Sequence, residues 1–148
     1  MSDLKTANCG FPLLAAGQAQ KELTHNEALI VADALVAGAV EAGPMETPPD
    51  APTTGQMWIV GDNPSGSWSQ EAGQLALWTQ GGWRFISPHP GQRLWDKTSG
   101  SLIWYRESAW TQPVTLIQAE GGTVVDTEAR DMLVTIRNLL ISLGVAVP

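Results

Sequence analysis

Gly73-Gln74-Leu75-Ala76-Leu77-Trp78-Thr79-Gln80-Gly81-Gly82-Trp83-Arg84-Phe85-Ile86 reads as two short extended runs around a glycine-bearing turn. Both runs are rich in aromatic and aliphatic residues, and Gln80-Gly81-Gly82 supplies the reversal, so the stretch predicts a β-hairpin. The dipeptide that opens it recurs. Gly55-Gln56-Met57-Trp58, Gly73-Gln74-Leu75 and Gly91-Gln92-Arg93-Leu94-Trp95 begin at intervals of 18 residues, long enough for one hairpin each. In the third unit Lys97-Thr98-Ser99-Gly100 separates Leu94-Trp95 from residues 102–106, and a last strand is expected at Ala109-Trp110-Thr111. The first unit is less regular, because Gly61-Asp62-Asn63-Pro64-Ser65-Gly66 is a long turn and only Trp68 marks a return strand. The expectation is an antiparallel meander of six or seven short strands.

All seven tryptophans, at 58, 68, 78, 83, 95, 104 and 110, fall within this region. Strict alternation puts Leu75, Leu77 and Thr79 on one sheet face and Gln74, Ala76 and Trp78 on the other, so both faces carry apolar residues. Most of the indoles are therefore expected in the core or between subunits, where a small sheet needs their area. One or two are expected to stay partly exposed. Trp68 and Trp110, flanked by Ser, Thr or Gln near turns, are the candidates, and an exposed indole can stack on the apolar face of a sugar ring.

Helices are expected on either side. Thr24-His25-Asn26-Glu27 fits a capping box, and apolar positions from Ala28 to Ala39 follow helical spacing, predicting a helix over about residues 24–41 stopped by Gly43-Pro44. Prolines 44, 48, 49 and 52 then make an extended connector. Near the C-terminus Asp126 can cap a helix that runs to Leu143 and is ended by Gly144. Within it Ala129, Leu133, Ile136, Leu140 and Leu143 are spaced 4, 3, 4, 3, the seam of a coiled coil, with Met132 and Leu139 widening it. That seam needs a partner, either the chain's own core or copies of itself. The expected organisation is α+β, mainly β. An N-terminal segment and helix (1–43) is followed by a Pro-rich connector (44–54), a Trp-rich β-hairpin domain (55–112) and a C-terminal oligomerisation helix (113–148).

Charge narrows the partners. A net charge of −7 repels a phosphate backbone, so nucleic acid is a poor partner. Residues 55–112 hold four basic and four acidic side chains, whereas residues 1–54 hold two and seven, leaving a neutral β region beside acidic flanks. No apolar run is long enough for a membrane span, and the N-terminus lacks the pattern of a secretory signal, so synthesis in the cytoplasm is expected. A single cysteine, Cys9, excludes an internal disulfide.

Little points to catalysis. His25 and Glu27 lack the three- or four-residue spacing of helical metal ligands and have no third ligand nearby, so no metal is expected. Cys9 has no adjacent base and becomes a nucleophile only if His25 or His89 folds against it. Asp62, Asp96 and Glu107 could act as glycosidase carboxylates, but acids are ordinary residues of β turns. The glycines follow hairpin turns rather than strand-to-helix junctions, so no nucleotide cofactor is expected.

The stretch Phe11-Pro12-Leu13-Leu14-Ala15-Ala16-Gly17-Gln18-Ala19-Gln20-Lys21-Glu22-Leu23-Thr24-His25-Asn26-Glu27-Ala28 resembles the opening of a domain of unknown function found in phages, prophages and gene transfer agents. The resemblance continues through the connector into Gly55-Gln56-Met57-Trp58, Gly73-Gln74 and Gly81-Gly82-Trp83-Arg84-Phe85, covering about residues 11–98. The ending, Val125-Asp126-Thr127-Glu128-Ala129-Arg130 through Leu143-Gly144, is similar to the short C-terminal helices of phage fibre-type proteins. This implies a virion component without catalytic residues, such as a tail fibre or head spike subunit. It would bind its neighbours in the particle or a polysaccharide on the host surface. A homo-oligomer, with three copies favoured, is the expected assembly. A carbohydrate-binding module for host attachment is the alternative, and a glycan hydrolase the remote one.

Overall fold

The structure, a computed structural model, describes residues 4–15, 21–118, 120–123 and 126–148. Residues 16–20 of the stretch quoted above, and Val125 ahead of the last helix, lie outside these described residues. Helix α1 (Lys21–Ala37) is followed by β1 (Ala39–Val40), β2 (Met57–Ile59), a single 3-10 turn (Gly66–Trp68), β3 (Leu75–Thr79) and β4 (Gly82–Ile86). Strands β5 (Arg93–Asp96), β6 (Ser101–Arg106), β7 (Ala109–Thr111) and β8 (Val114–Thr115) come next, then helix α2 (Thr127–Ser142) and β9 (Ala146–Val147). The class is α+β and mainly β, as the hairpin signals required.

The strands do not form one meander. Strands β2, β3 and β4 make an antiparallel sheet, whereas β5, β6 and β7 make a second one, extended by β1 alongside β5 in parallel. A further parallel pair joins β8 to β9. The parallel pairing of β1 follows from the crossover of more than fifty residues between it and β5, a contact that no hairpin signal announces.

The 18-residue repeat is one backbone device used three times. In each unit the N–H of the glutamine bonds the carbonyl three residues earlier: Gln56 to Thr53, Gln74 to Glu71 and Gln92 to His89, at 3.1, 3.2 and 2.9 Å. The intervening Gly55, Gly73 and Gly91 have φ of +92°, +74° and +86°. This is the pattern of a type II turn, whose third residue lies where a Cβ is disfavoured. Each glycine N–H then donates to a residue on the partner strand, and that same residue's N–H donates to the glutamine carbonyl. Trp78, Val60 and Tyr105 are the three partners. Two residues opposite one, with a left-handed glycine first, make a glycine bulge, which sharpens the twist as the strand begins. The glutamine side chains reinforce two of the turns, since Gln56 and Gln92 accept from the N–H groups of Thr53 and His89.

The β2–β3 layer is buried on both faces. On one face Met57, Ile59, Leu75 and Leu77 pack with Ala34 of α1, Val40 of β1, and Leu94 and Ile103 of the second sheet. On the other, Trp58, Val60 and Ala76 meet Trp68, walled by Trp78, Trp83 and Phe85. Trp83 is the hub, with Trp58, Trp68 and Trp78 edge-on to it at centroid distances of 5.6, 5.1 and 4.8 Å. Such edge-to-face contacts suit the ring quadrupole.

Helix α1 departs from the expected bounds at both ends. Thr24 lies one turn inside it, so Thr24 and Glu27 form no capping box, and the helix stops at Gly38, whose φ is +61°. Glu27 instead faces Arg84 across the gap to β4, at 3.4 Å and exposed. The Pro-rich segment runs along β2: Met45 donates to Ile59 O, and Gly61 to Met45 O.

Candidate association surface

Helix α2 begins as its sequence predicts. The Asp126 carboxylate accepts from Ala129 N at 2.9 Å, and Gly144, with φ +69°, follows the last turn. Two faces of the helix have different fates. Arg130, Val134, Arg137 and Ile141 recur at spacings of 4, 3 and 4 and are partly covered by the chain's own residues. Arg137 Nε donates to Leu116 O at 2.5 Å, and an Arg130 guanidinium N–H donates to Gly121 O. These two bonds tie the segment after β8 to the helix, while β9 returns beside β8.

The other face carries the apolar seam, and it is open. Met132, Leu133, Ile136, Leu139 and Leu143 are 66, 56, 46, 57 and 56% exposed, and only Leu140 of the seam turns partly inward. Ile117, 88% exposed, lies close by, and Leu116, Ile117, Leu133, Ile136 and Leu140 line a groove of about 190 Å³ between the helix and the β8 segment. No residue of α2 is buried. A helix of this length gains its stability mainly from packing an apolar face, and here the seam of that face is left exposed by the rest of the chain.

The tryptophans sort differently from the expectation. Trp68 is fully buried, because the turn carrying it folds over the second face of β2–β3 in place of a return strand; the expectation of an exposed Trp68 is corrected. Trp110 is half-buried against the core, with its ring 5.2 Å from Tyr105 and Nε1 donating to Gly73 O at 3.4 Å. Trp95, 38% exposed, is the most open of the seven, and Trp104 lies partly open on the same sheet face. Sequence reasoning missed this pair, although period-2 alternation along β5 and β6 was a signal that could have found it.

The candidate chemical groups do not come together. Among the described residues no three His, Cys, Asp or Glu side chains converge. Cys9 is exposed beside Asp33, where local desolvation and the hydrogen bond to and charge of that carboxylate raise its pKa and disfavour the thiolate. Asp33 is itself a structural group that sequence reading passed over. It sits buried on α1 and accepts from Thr6 Oγ1, Asn8 N and Cys9 N at 2.6, 2.9 and 2.6 Å. Desolvation pushes its pKa up, but the hydrogen bonds from Thr6, Cys9 and Asn8 outweigh it and leave the pKa lowered. Asn26, two turns earlier on the same face of α1, clamps Leu14 by bonding both its N–H and its carbonyl at 2.9 Å. Together they fasten the N-terminal segment to α1.

A protein-family model matches residues 25–111, the family being described as a protein of unknown function, DUF2793. The match runs from the first half of α1 to the last residue of β7, so it takes in all three glycine bulges and leaves α2 outside. No curated protein matches the chain.

Proposed function

The chain belongs to the DUF2793 family, and from that premise we propose that it is a non-catalytic structural subunit of a phage or gene transfer agent particle, assembling with copies of itself through α2. The observation that carries this reading is the open apolar face of α2, beside a β2–β3 layer that is covered on both faces. Spacing of 4, 3, 4, 3 makes the face self-complementary, because identical knobs and holes repeat on every copy. Exposed apolar side chains contribute about 1.5–3 kcal/mol each when fully buried. Five of them supply a gross gain from which the entropy of association is subtracted. Three copies is the favoured number, with the α2 helices side by side.

The particle assignment rests on the resemblance of residues 11–98 and of the C-terminal helix to phage and fibre-type sequences, and it makes the subunit a fibre, spike or adaptor. Light scattering on the purified chain at micromolar concentration tests the assembly. A mass near three times 15.8 kDa is expected, and a monomer overturns it. A second reading, contact with a host polysaccharide, draws support from Trp95 and Trp104, the open face of the second sheet, rather than from Trp68.

A further inference from the structure

The outer face of β5 and β6 gathers cations around one indole. Arg93 stands directly opposite Trp104 across the strand pair, and Arg106 lies two residues beyond Trp104 on the same strand, so the pleat turns all three side chains to one side. The Arg106 guanidinium carbon is 4.3 Å from the centre of the Trp104 ring and that of Arg93 is 5.9 Å away. Among the described residues neither arginine makes an ion pair; the bridges go to Arg84 and Lys97 instead. The two guanidiniums therefore lie within about one Debye length of each other, ~10 Å in 0.1 M salt, without a counter-charge, on a chain of net charge −7. Trp104 Nε1 is also shielded from solvent and has no acceptor. An open depression of about 310 Å³ is lined by Gly91, Arg93, Trp104, Tyr105 and Arg106.

We propose that this depression is a binding site for an acidic saccharide, whose carboxylate sits between Arg93 and Arg106 at the Trp104 ring. A planar guanidinium presents paired N–H donors that match a carboxylate, and a second guanidinium lets the same anion be held from two sides. Trp95 lies on this face next to Arg93 and is partly open, so an apolar ring borders the cations, as an acidic sugar with one apolar face requires. The acidic chain repels nucleic acid. The inference rests on the polysaccharide reading and is independent of α2, which is not part of the depression.

The test titrates the full chain with oligogalacturonate, with its methyl ester, with sodium sulfate and with poly-glutamate, read by calorimetry. Wild type is expected to bind oligogalacturonate saturably, more weakly as salt rises, and at least tenfold more tightly than the uncharged ester. R93Q and R106Q are each expected to weaken binding about tenfold, and R106K to recover only part of it, since it keeps charge without the fork. Equal binding of the ester, unchanged binding in the R93Q/R106Q double variant, or no binding of the acidic sugar overturns the proposal. Equal affinity for sulfate or poly-glutamate overturns the saccharide assignment. Light scattering on the same samples separates the two readings: the arginine variants are expected to keep the wild-type mass, and failure of sugar binding with that mass retained leaves assembly standing.

Discussion

The two sheets between β1 and β7 and the arm after β7 use similar apolar residues and end in opposite states. In the sheets, both faces of β2–β3 are sealed, and every glycine bulge hands its backbone polar groups to a partner strand. In the arm, α2 buries no residue, and it is tied to the chain by two arginine-to-carbonyl bonds, by the β8–β9 pair and, just past its last turn, by Leu102 N donating to Gly144 O at 2.7 Å. The boundary between them coincides with the end of the family match at Thr111. The region that the family model matches is thus followed by an arm whose apolar seam stays exposed.

Substitutions at the most closed point of the sheets should have the largest effect. Trp68→Ala is expected to cost about 3–5 kcal/mol in urea unfolding, the range for large-to-small changes of a buried aromatic. Trp68→Phe should cost clearly less, because it keeps a ring and removes the buried Nε1 donor that has no acceptor. Equal losses in the two variants would mean that the indole is held by something other than packing.

Asp33 comes next. Its pKa is lowered in the fold, so its contribution is present above the unfolded value, about 3.9, and is lost as pH falls through the folded value. Asp33→Asn should cost about 1.5–3 kcal/mol near neutral pH, the scale of hydrogen bonds to a charged group. It should also flatten the loss of stability below pH 4, measured by thermal melts across pH. An unchanged acid limb would place the titrating group elsewhere.

The bulges rank among themselves. Gly91→Ala meets no neighbour within 4 Å, so only the left-handed backbone resists it, at about 1–2 kcal/mol. Gly55→Ala carries the same backbone cost and also brings its new methyl to 2.5 Å from Ala7 Cβ, so it should be the worse of the two in denaturant melts. Matching losses would show that the Ala7 segment yields freely.

The arm should answer least in stability and most in assembly. Leu133→Asp with Ile136→Asp is expected to change the unfolding of the dilute chain by less than ~1 kcal/mol, as at exposed sites. Light scattering should nonetheless fall to the monomer mass. A large stability loss at low concentration would instead place this face against the chain's own core.

Much of this was legible because it is local. The residues on either side of Gln80-Gly81, the alternation of Leu75 and Leu77 against Ala76 and Trp78, and the Asp126 cap are all set by relations of a few residues, and the structure repeats them. The 18-residue period marked a hairpin in its second and third units, β3–β4 and β5–β6, and the turn and bulge that open all three units appear only through the partners Trp78, Val60 and Tyr105. The capping box at Thr24 failed for the opposite reason, since a local pattern was overruled by a helix that already runs through it.

The sequence by itself determined where the strands turn, that both faces of the central layer are apolar, and that the last helix carries a seam. Each is a matter of turn chemistry or periodicity over a handful of residues. Only the tertiary structure decided that Trp68 is interior and Trp95 open, that β1 joins β5 across a long crossover, and that Arg93 and Arg106 meet at Trp104. Burial and the company a side chain keeps are set by residues far along the chain, and no local pattern contains them.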